Sequence, residues 1–171
     1  MPRYVALLRG VSPQNAKMAE LKAAFEAAGF TNVRTVLSSG NVVFDSAMTS
    51  YDALEGLAEQ AIERKLGRKF YTIVRSVADL KELLAFDPYV QHGIPPDAKR
   101  VVSFFRQSPN PKVVLPLAQD QASVFFLRGR EAFTAYRPGD KGPVFMLLIE
   151  RAFGKDVTTR TLETVAKCAA A

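Results

Sequence analysis

The chain has 171 residues, 48% hydrophobic and 23% charged, an ordinary globular composition with enough length for one core or two small fused ones. No apolar run approaches the roughly 18 residues that cross a bilayer, and the apolar run from Tyr4 to Leu8, bounded by Arg3 and Arg9, is too short for a signal peptide. One cysteine, Cys168, excludes a disulfide framework and a cysteine-based metal site, and one histidine, His92, excludes a multi-histidine site. The expectation is a protein of the reducing cytosol with no membrane association, no metal and no cofactor.

The formal net charge is +6, unevenly placed. Residues 1–90 carry 11 Lys/Arg against 10 Asp/Glu, and residues 91–171 carry 12 against 7. Excess positive charge favours anionic partners, namely nucleic acid, phosphorylated ligands or an acidic protein. The bland alternative is an inert basic surface that serves solubility.

The first strand, Arg3 to Arg9, is nearly continuous apolar, as a central strand should be. After a loop containing Pro13, the residues Met18, Leu21, Ala24, Phe25 and Ala28 recur at helical spacing, and Gly29-Phe30 fits a Schellman ending. Strands at about Val33–Leu37 and Asn41–Asp45 follow, reversed by Ser38-Ser39-Gly40. A helix is expected from Tyr51 to Leu66, capped by Thr49 with Asp52 and closed by Gly67. A fourth strand runs from Phe70 to Arg75, and Ser76-x-x-Asp79 caps a short helix. The order βαββαβα predicts an N-terminal ferredoxin-like α+β sandwich over residues 1–88.

The segment Asp87 to Lys99 holds three prolines and is the expected boundary. Beyond it, 99–171 reads as a smaller α+β unit of strands and two C-terminal helices, packed with the first as one compact body. Val101–Phe105 is its first strand. Ser123–Arg128 and Glu131–Arg137 flank Gly129-Arg130 as a hairpin. Pro143 suits the first turn of an apolar helix, and Thr158 or Thr159 is placed to cap the last one.

Several short motifs converge on one resemblance. Leu8-Arg9-Gly10, Met18-Ala19-Glu20-Leu21, Gly29-Phe30-Thr31-Asn32-Val33-Arg34-Thr35, Ser39-Gly40-Asn41-Val42-Val43-Phe44 and Thr158-Thr159-Arg160 together resemble the bacterial family catalogued as domain of unknown function 1697. The resemblance spans nearly the whole chain and is most specific from Met18 to Phe44. It implies a ferredoxin-like unit followed by a second α+β unit, and it implies no reaction. The chain departs from the family pattern in three places. Val11-Ser12-Pro13-Gln14-Asn15 stands where the family has a longer basic loop with two glycines. Lys141-Gly142-Pro143 stands for Arg-Ser-Lys, and Thr161-Leu162-Glu163 for Asn-Trp-Asn.

Three segments carry candidate chemistry. Ser38-Ser39-Gly40-Asn41 can present hydroxyls and backbone N–H groups to an anion, against the plainer reading of a turn that satisfies itself. Arg9, ending the first strand, can grip a ligand bidentately, against a surface ion pair. Thr159-Arg160, read as a helix start, can combine hydroxyl, dipole and guanidinium around a phosphate, against a simple cap. Arg128, Arg130, Arg137 and Lys141 crowd the hairpin and its exit as a basic surface. The ligand-binding candidates are therefore Arg9, Ser39, Gly40, Asn41, Thr159 and Arg160. Tyr4 and Phe44 are the aromatics on the central strands, and Phe104, Phe105, Phe125, Phe126 and Phe133 lie in later strands, where adjacent pairs point to opposite faces; one of each pair is then open to stacking or, on the plainer reading, one packs in the core and the other is buried by a partner.

No P-loop, GxGxxG, HExxH or G-x-S-x-G occurs, His92 has no acidic neighbour in sequence, and Cys168 has no activating context. The leading expectation is a non-catalytic binder of an anionic partner, either a phosphorylated ligand or nucleic acid. Two alternatives stand beside it: an enzyme acting on a small phosphorylated or carboxylated substrate, with Arg9 and Arg160 as clamps, and a homo-oligomeric interaction module.

Overall fold

The computed structural model describes residues 1–139 and 144–171. Residues 140–143 lie outside it, and with them Lys141 of the expected basic surface and Pro143 of the expected helix start. The described residues form a mixed α+β protein with two antiparallel sheets and six helices. No helix among them is long and apolar enough to cross a membrane. Two compact units are distinguished, Met1–Leu83 with Val165–Ala171, and Leu84–Thr164.

The first unit is built on β1 (Arg3–Leu8), α1 (Met18–Ala27), β2 (Thr31–Val36), β3 (Asn41–Asp45), α2 (Tyr51–Leu66), β4 (Thr72–Ser76) and the greater part of α3 (Val77–Phe86). Its sheet has the order β2-β3-β1-β4, antiparallel throughout. The unbroken apolar run of β1 is explained by burial on both faces. Tyr4, Ala6 and Leu8 join Val42, Phe44 and Val74 in a core with Leu21 and Phe25 of α1 and Leu54, Ala58 and Ile62 of α2. Val5 and Leu7 point the other way with Val43 and Ile73, and all four are buried.

Helix ends follow local chemistry. Gly29 adopts φ +94° and the Phe30 amide reaches back to the Phe25 carbonyl, the expected Schellman closure. The α2 cap is Ser50, whose hydroxyl accepts from the Ala53 amide at 3.3 Å, so the cap falls one residue after Thr49. Gly67, at φ +73°, ends that helix, and Ser76 caps α3 through the Asp79 amide at 3.0 Å.

The outer edge of β4 is closed by side chains. Glu55 Oε2 accepts from the Val74 amide at 2.9 Å, the Tyr51 hydroxyl accepts from the Ser76 amide at 2.8 Å, and Arg75 Nη1 donates to the Val74 carbonyl at 2.9 Å. Tyr51 also donates to Asp79. Glu55 and Arg75 are buried, an unusual state for a glutamate and an arginine, explained by the backbone groups they serve.

The second unit contains α4 (Pro88–Gln91), β5 (Lys99–Phe104), β6 (Leu117–Gln119), β7 (Ala122–Arg128), β8 (Glu131–Tyr136), α5 (Val144–Phe153) and β9 (Thr158–Thr161). Its sheet has the order β6-β7-β8-β5-β9. Val144, Leu148 and Ile149 of α5 pack with Phe105, Val124, Ala132 and Val157. The proline-rich stretch after Phe86 is not bare linker: Asp87 caps α4 through the Tyr89 amide, and Tyr89 is fully buried with its hydroxyl on the Val101 carbonyl at 2.7 Å.

The expected helix start at Thr158-Thr159-Arg160 is corrected. These residues form β9, paired with β5 through Val102↔Arg160 and Ser103↔Thr159. The cap of the last helix, α6 (Leu162–Ala170), is Thr161, whose hydroxyl accepts from the Thr164 amide at 3.2 Å. Three β-branched or long residues in a row, with a strand to pair against, outweigh the capping preference of threonine.

Candidate functional site

Strand register in the first unit gathers several polar residues at one end of one face. Leu7 stands opposite Asn41, so Asn41 shares the face of Val5 and Leu7, away from α1 and α2. Pairing continues past β1, the Arg9 amide donating to the Tyr71 carbonyl at 2.8 Å. Arg9 and Tyr71 therefore stand opposite each other on that same face, one step beyond Leu7 and Ile73. Asn41 is fully buried, and its Nδ2 donates to the Val36 carbonyl at 2.9 Å and to the Ser39 hydroxyl oxygen at 3.0 Å. The Ser39 hydroxyl is thus held toward the same side. Three of the candidate residues, Arg9, Ser39 and Asn41, come together through strand alternation and one buried amide.

Gly40 is the hinge of this arrangement. It adopts φ +87°, its carbonyl accepts from the Leu8 amide at 2.9 Å, and a Cβ there would lie 2.8 Å from Val11 Cβ and 3.0 Å from Leu8 Cβ. Only glycine lets the β2–β3 turn sit this close to the end of β1. Leu37 begins the turn at φ +59° with half its surface exposed. A leucine in the left-handed region is strained. The loop after Gly10 is fixed by Asn15, which accepts from the Ser12 amide and donates to the Gly10 carbonyl.

Tyr71 and Leu37 were not singled out from the sequence. Alternation along the fourth strand places Tyr71 on the face of Ile73, and only the register of β1 against β4 sets it beside Arg9. Nothing in the sequence marks Leu37 as left-handed.

The remaining candidates belong to the second unit. Thr159 Oγ1 is 3.0 Å from Ser103 Oγ, and Arg160 is buried with Nη1 donating to the Thr159 carbonyl at 2.9 Å. With both residues in a strand, the helix-dipole argument for them falls. Arg128 and Arg130 are exposed at the β7–β8 hairpin, the Arg128 guanidinium lying 4.2 Å from the Phe86 ring centre. Arg137 pairs with Asp97 at 3.1 Å.

The outward-facing phenylalanines do not appear. Tyr4, Phe44, Phe104, Phe105 and Phe133 are buried, and Phe125 and Phe126 are half-buried. A register shift between Val124 and Phe126 places both of the latter rings against His92, with centroids 5.0 Å away in each case. His92 accordingly packs on aromatics, its Nδ1 within 2.9 Å of the Pro88 carbonyl oxygen.

Shifted ionisations also belong to packing. Hydrogen bonds from Asn32 and then Arg3 hold Asp45 below the usual carboxylate range. Burial, then the neighbouring Asp79, raises the Tyr51 phenol, and burial drives the Tyr89 phenol far above its ordinary value. Among the described residues no group of three or more His, Cys, Asp or Glu is arranged to hold a metal.

Comparison with known proteins relates the chain to a family and to a solved structure. The model of a family described as protein of unknown function (DUF1697) matches residues 1–133. The solved structure of the conserved bacterial protein SP0830 from Streptococcus pneumoniae is similar over 99% of this chain and 97% of that one, with a TM-score of 0.69 at 18% identity. At that identity the likeness is one of fold. No curated protein matches.

Proposed function

The chain belongs to the DUF1697 family of proteins of unknown function, and we propose that it acts as a non-catalytic binder of a small anionic ligand, held where Arg9, Tyr71, Ser39 and Asn41 share one face. We also read the first unit as a ferredoxin-like sandwich, in keeping with the strand order β4-β1-β3-β2 and the helices that follow β1 and β3. The binding proposal is supported by the register that puts Arg9 on the same face and at the same end of the sheet as a serine hydroxyl held by a fully buried amide and a left-handed turn residue. A guanidinium engages phosphate or carboxylate through paired N–H donors. The strain at Leu37 supports a role for the turn beyond reversing the chain.

A small ligand is favoured over nucleic acid because Tyr4 and Phe44, the aromatics on the two central strands, are buried and leave no stacking platform on this sheet. Arg128 and Arg130 contribute to the +6 charge that draws anions at long range. The buried thiol of Cys168 fits a reducing cytosol.

Thermal unfolding with inorganic phosphate, pyrophosphate and a single-stranded oligonucleotide tests the reading. Ligand at a hundredfold its Kd should raise Tm by about 5–10 °C. Arg9→Ala should remove the effect, and Ser39→Ala should weaken it. An equal rise in Arg9→Ala, or a rise with the oligonucleotide alone that collapses at moderate salt, would overturn it.

A further inference from the structure

The two edges of the first unit's sheet differ, and the difference has a use. At β4 the outward backbone groups end on Glu55, Tyr51 and Arg75. At the opposite edge, β2 is bordered by β3 alone. Its first half is irregular, with a register shift between Thr31 and Arg34 and φ +49° at Asn32, the kind of device that discourages pairing. Its second half, Arg34 to Val36, is regular.

Beside that regular half lies a recess of about 340 Å³, lined by residues 34–37 and by Lys167, Ala170 and Ala171 of the chain's last turn. Arg34 stands opposite Val43, and Val36 opposite Asn41, so both face the side away from α1 and α2. Arg34 and Lys167 are exposed, and Leu37 adds apolar surface at the mouth. Arg3 steadies the wall, its Nε donating to the Ala171 carbonyl at 2.9 Å while its Nη1 pairs with Asp45 at 2.8 Å.

We propose that the Arg34–Val36 edge takes an extended acidic peptide segment of a partner protein as an added strand, with a carboxylate side chain entering the recess between Arg34 and Lys167. Strand addition draws affinity from backbone pairing and selectivity from a pocket that receives alternate side chains. Here the Thr35 N–H and carbonyl face outward, because Arg34 and Val36 turn their backbone groups to β3, and the recess receives the side chain. Charge complementarity selects the acidic occupant. A second copy of the chain would bring an equally basic edge against this one, which disfavours it. The recess adjoins the proposed anion site, since Asn41 pairs with Val36 and donates to its carbonyl at 2.9 Å, and the two proposals are separated by their variants, Arg34→Glu and Arg9→Ala.

Amide hydrogen exchange on the full chain, with an eight-residue peptide alternating glutamate with valine, tests it. New protection should appear at the Thr35 amide, which faces outward, and a peptide with lysine in place of glutamate should give none. Arg34→Glu should weaken binding of the glutamate peptide by about tenfold or more and should admit the lysine peptide. Binding unaffected by Arg34→Glu, protection confined to other segments, or concentration-dependent protection of β2 without peptide would each overturn the proposal, the last in favour of self-association. The phosphate response of Arg9→Ala is read separately, so either proposal can fail alone.

Discussion

At β4, a buried glutamate, a tyrosine and a buried arginine stand where a neighbouring strand would be; at β2, the chain leaves an exposed arginine, a short regular stretch and a basic recess. Both strands border the same sheet and face the same edge problem. The β4 side spends buried polar groups on stability, and removing Glu55 or Arg75 strands a Val74 backbone group in the interior. The β2 side relies on brevity, a bulge and charge, which cost little and leave the surface usable. Substitutions at the two edges should therefore separate, those at β4 moving stability and those at β2 moving binding.

The largest effect is expected at Glu55. Replacing it by alanine leaves the Val74 amide without its acceptor and should cost about 3 kcal/mol in urea unfolding, whereas Glu55→Gln keeps an acceptor oxygen and should recover most of the loss. If Glu55→Ala unfolds at the parent's midpoint, the sealed-edge account is wrong. Gly40→Ala comes next, at about 2–3 kcal/mol, because the methyl meets Val11 and Leu8 and the residue must keep φ +87°. This sets the limit of tolerance where β2 turns into β3.

Tyr51→Phe should cost about 1 kcal/mol. The same residue gives a pH test. Its phenol pKa is raised in the fold, so the folded state holds a proton that the unfolded state releases near pH 10. The contribution is present below that pH and is lost as pH rises through it. Chemical denaturation should show stability falling above about pH 10, less steeply in Tyr51→Phe. The smallest effect is at Leu37. Asparagine tolerates the left-handed conformation and half of the leucine surface is already exposed, so Leu37→Asn should stabilise by about 0.5 kcal/mol. A clear loss there would show that the turn is not strained.

Elements dominated by local signals were legible in the sequence. Met18–Ala27 and Tyr51–Leu66 carried both helical periodicity and terminal glycines, and Asn41–Asp45 was bounded by a turn on one side. Errors fell where tertiary pairing decides. Thr158-Thr159-Arg160 has good capping chemistry, yet β5 offers it a partner strand and wins. Asp87-Pro88-Tyr89 looks like a stop signal, yet the buried Tyr89 phenol finds the Val101 carbonyl and a short helix forms. The alternation argument for Phe125 and Phe126 failed at a bulge that no local residue announces. For the candidate site, Arg9, Ser39 and Asn41 were individually visible. Their shared face depended on the register of β1 against β3, and Tyr71 entered only through the register of β1 against β4.

The central claim is that an anion is held at the Arg9 end of the first unit's sheet. Backbone amide chemical shifts followed by NMR during a titration with inorganic phosphate test it most directly. The account predicts saturable shifts at Arg9, Tyr71 and residues 38–41, lost in Arg9→Ala. Shifts confined to the Arg128–Arg137 hairpin, or none that saturate, would contradict it.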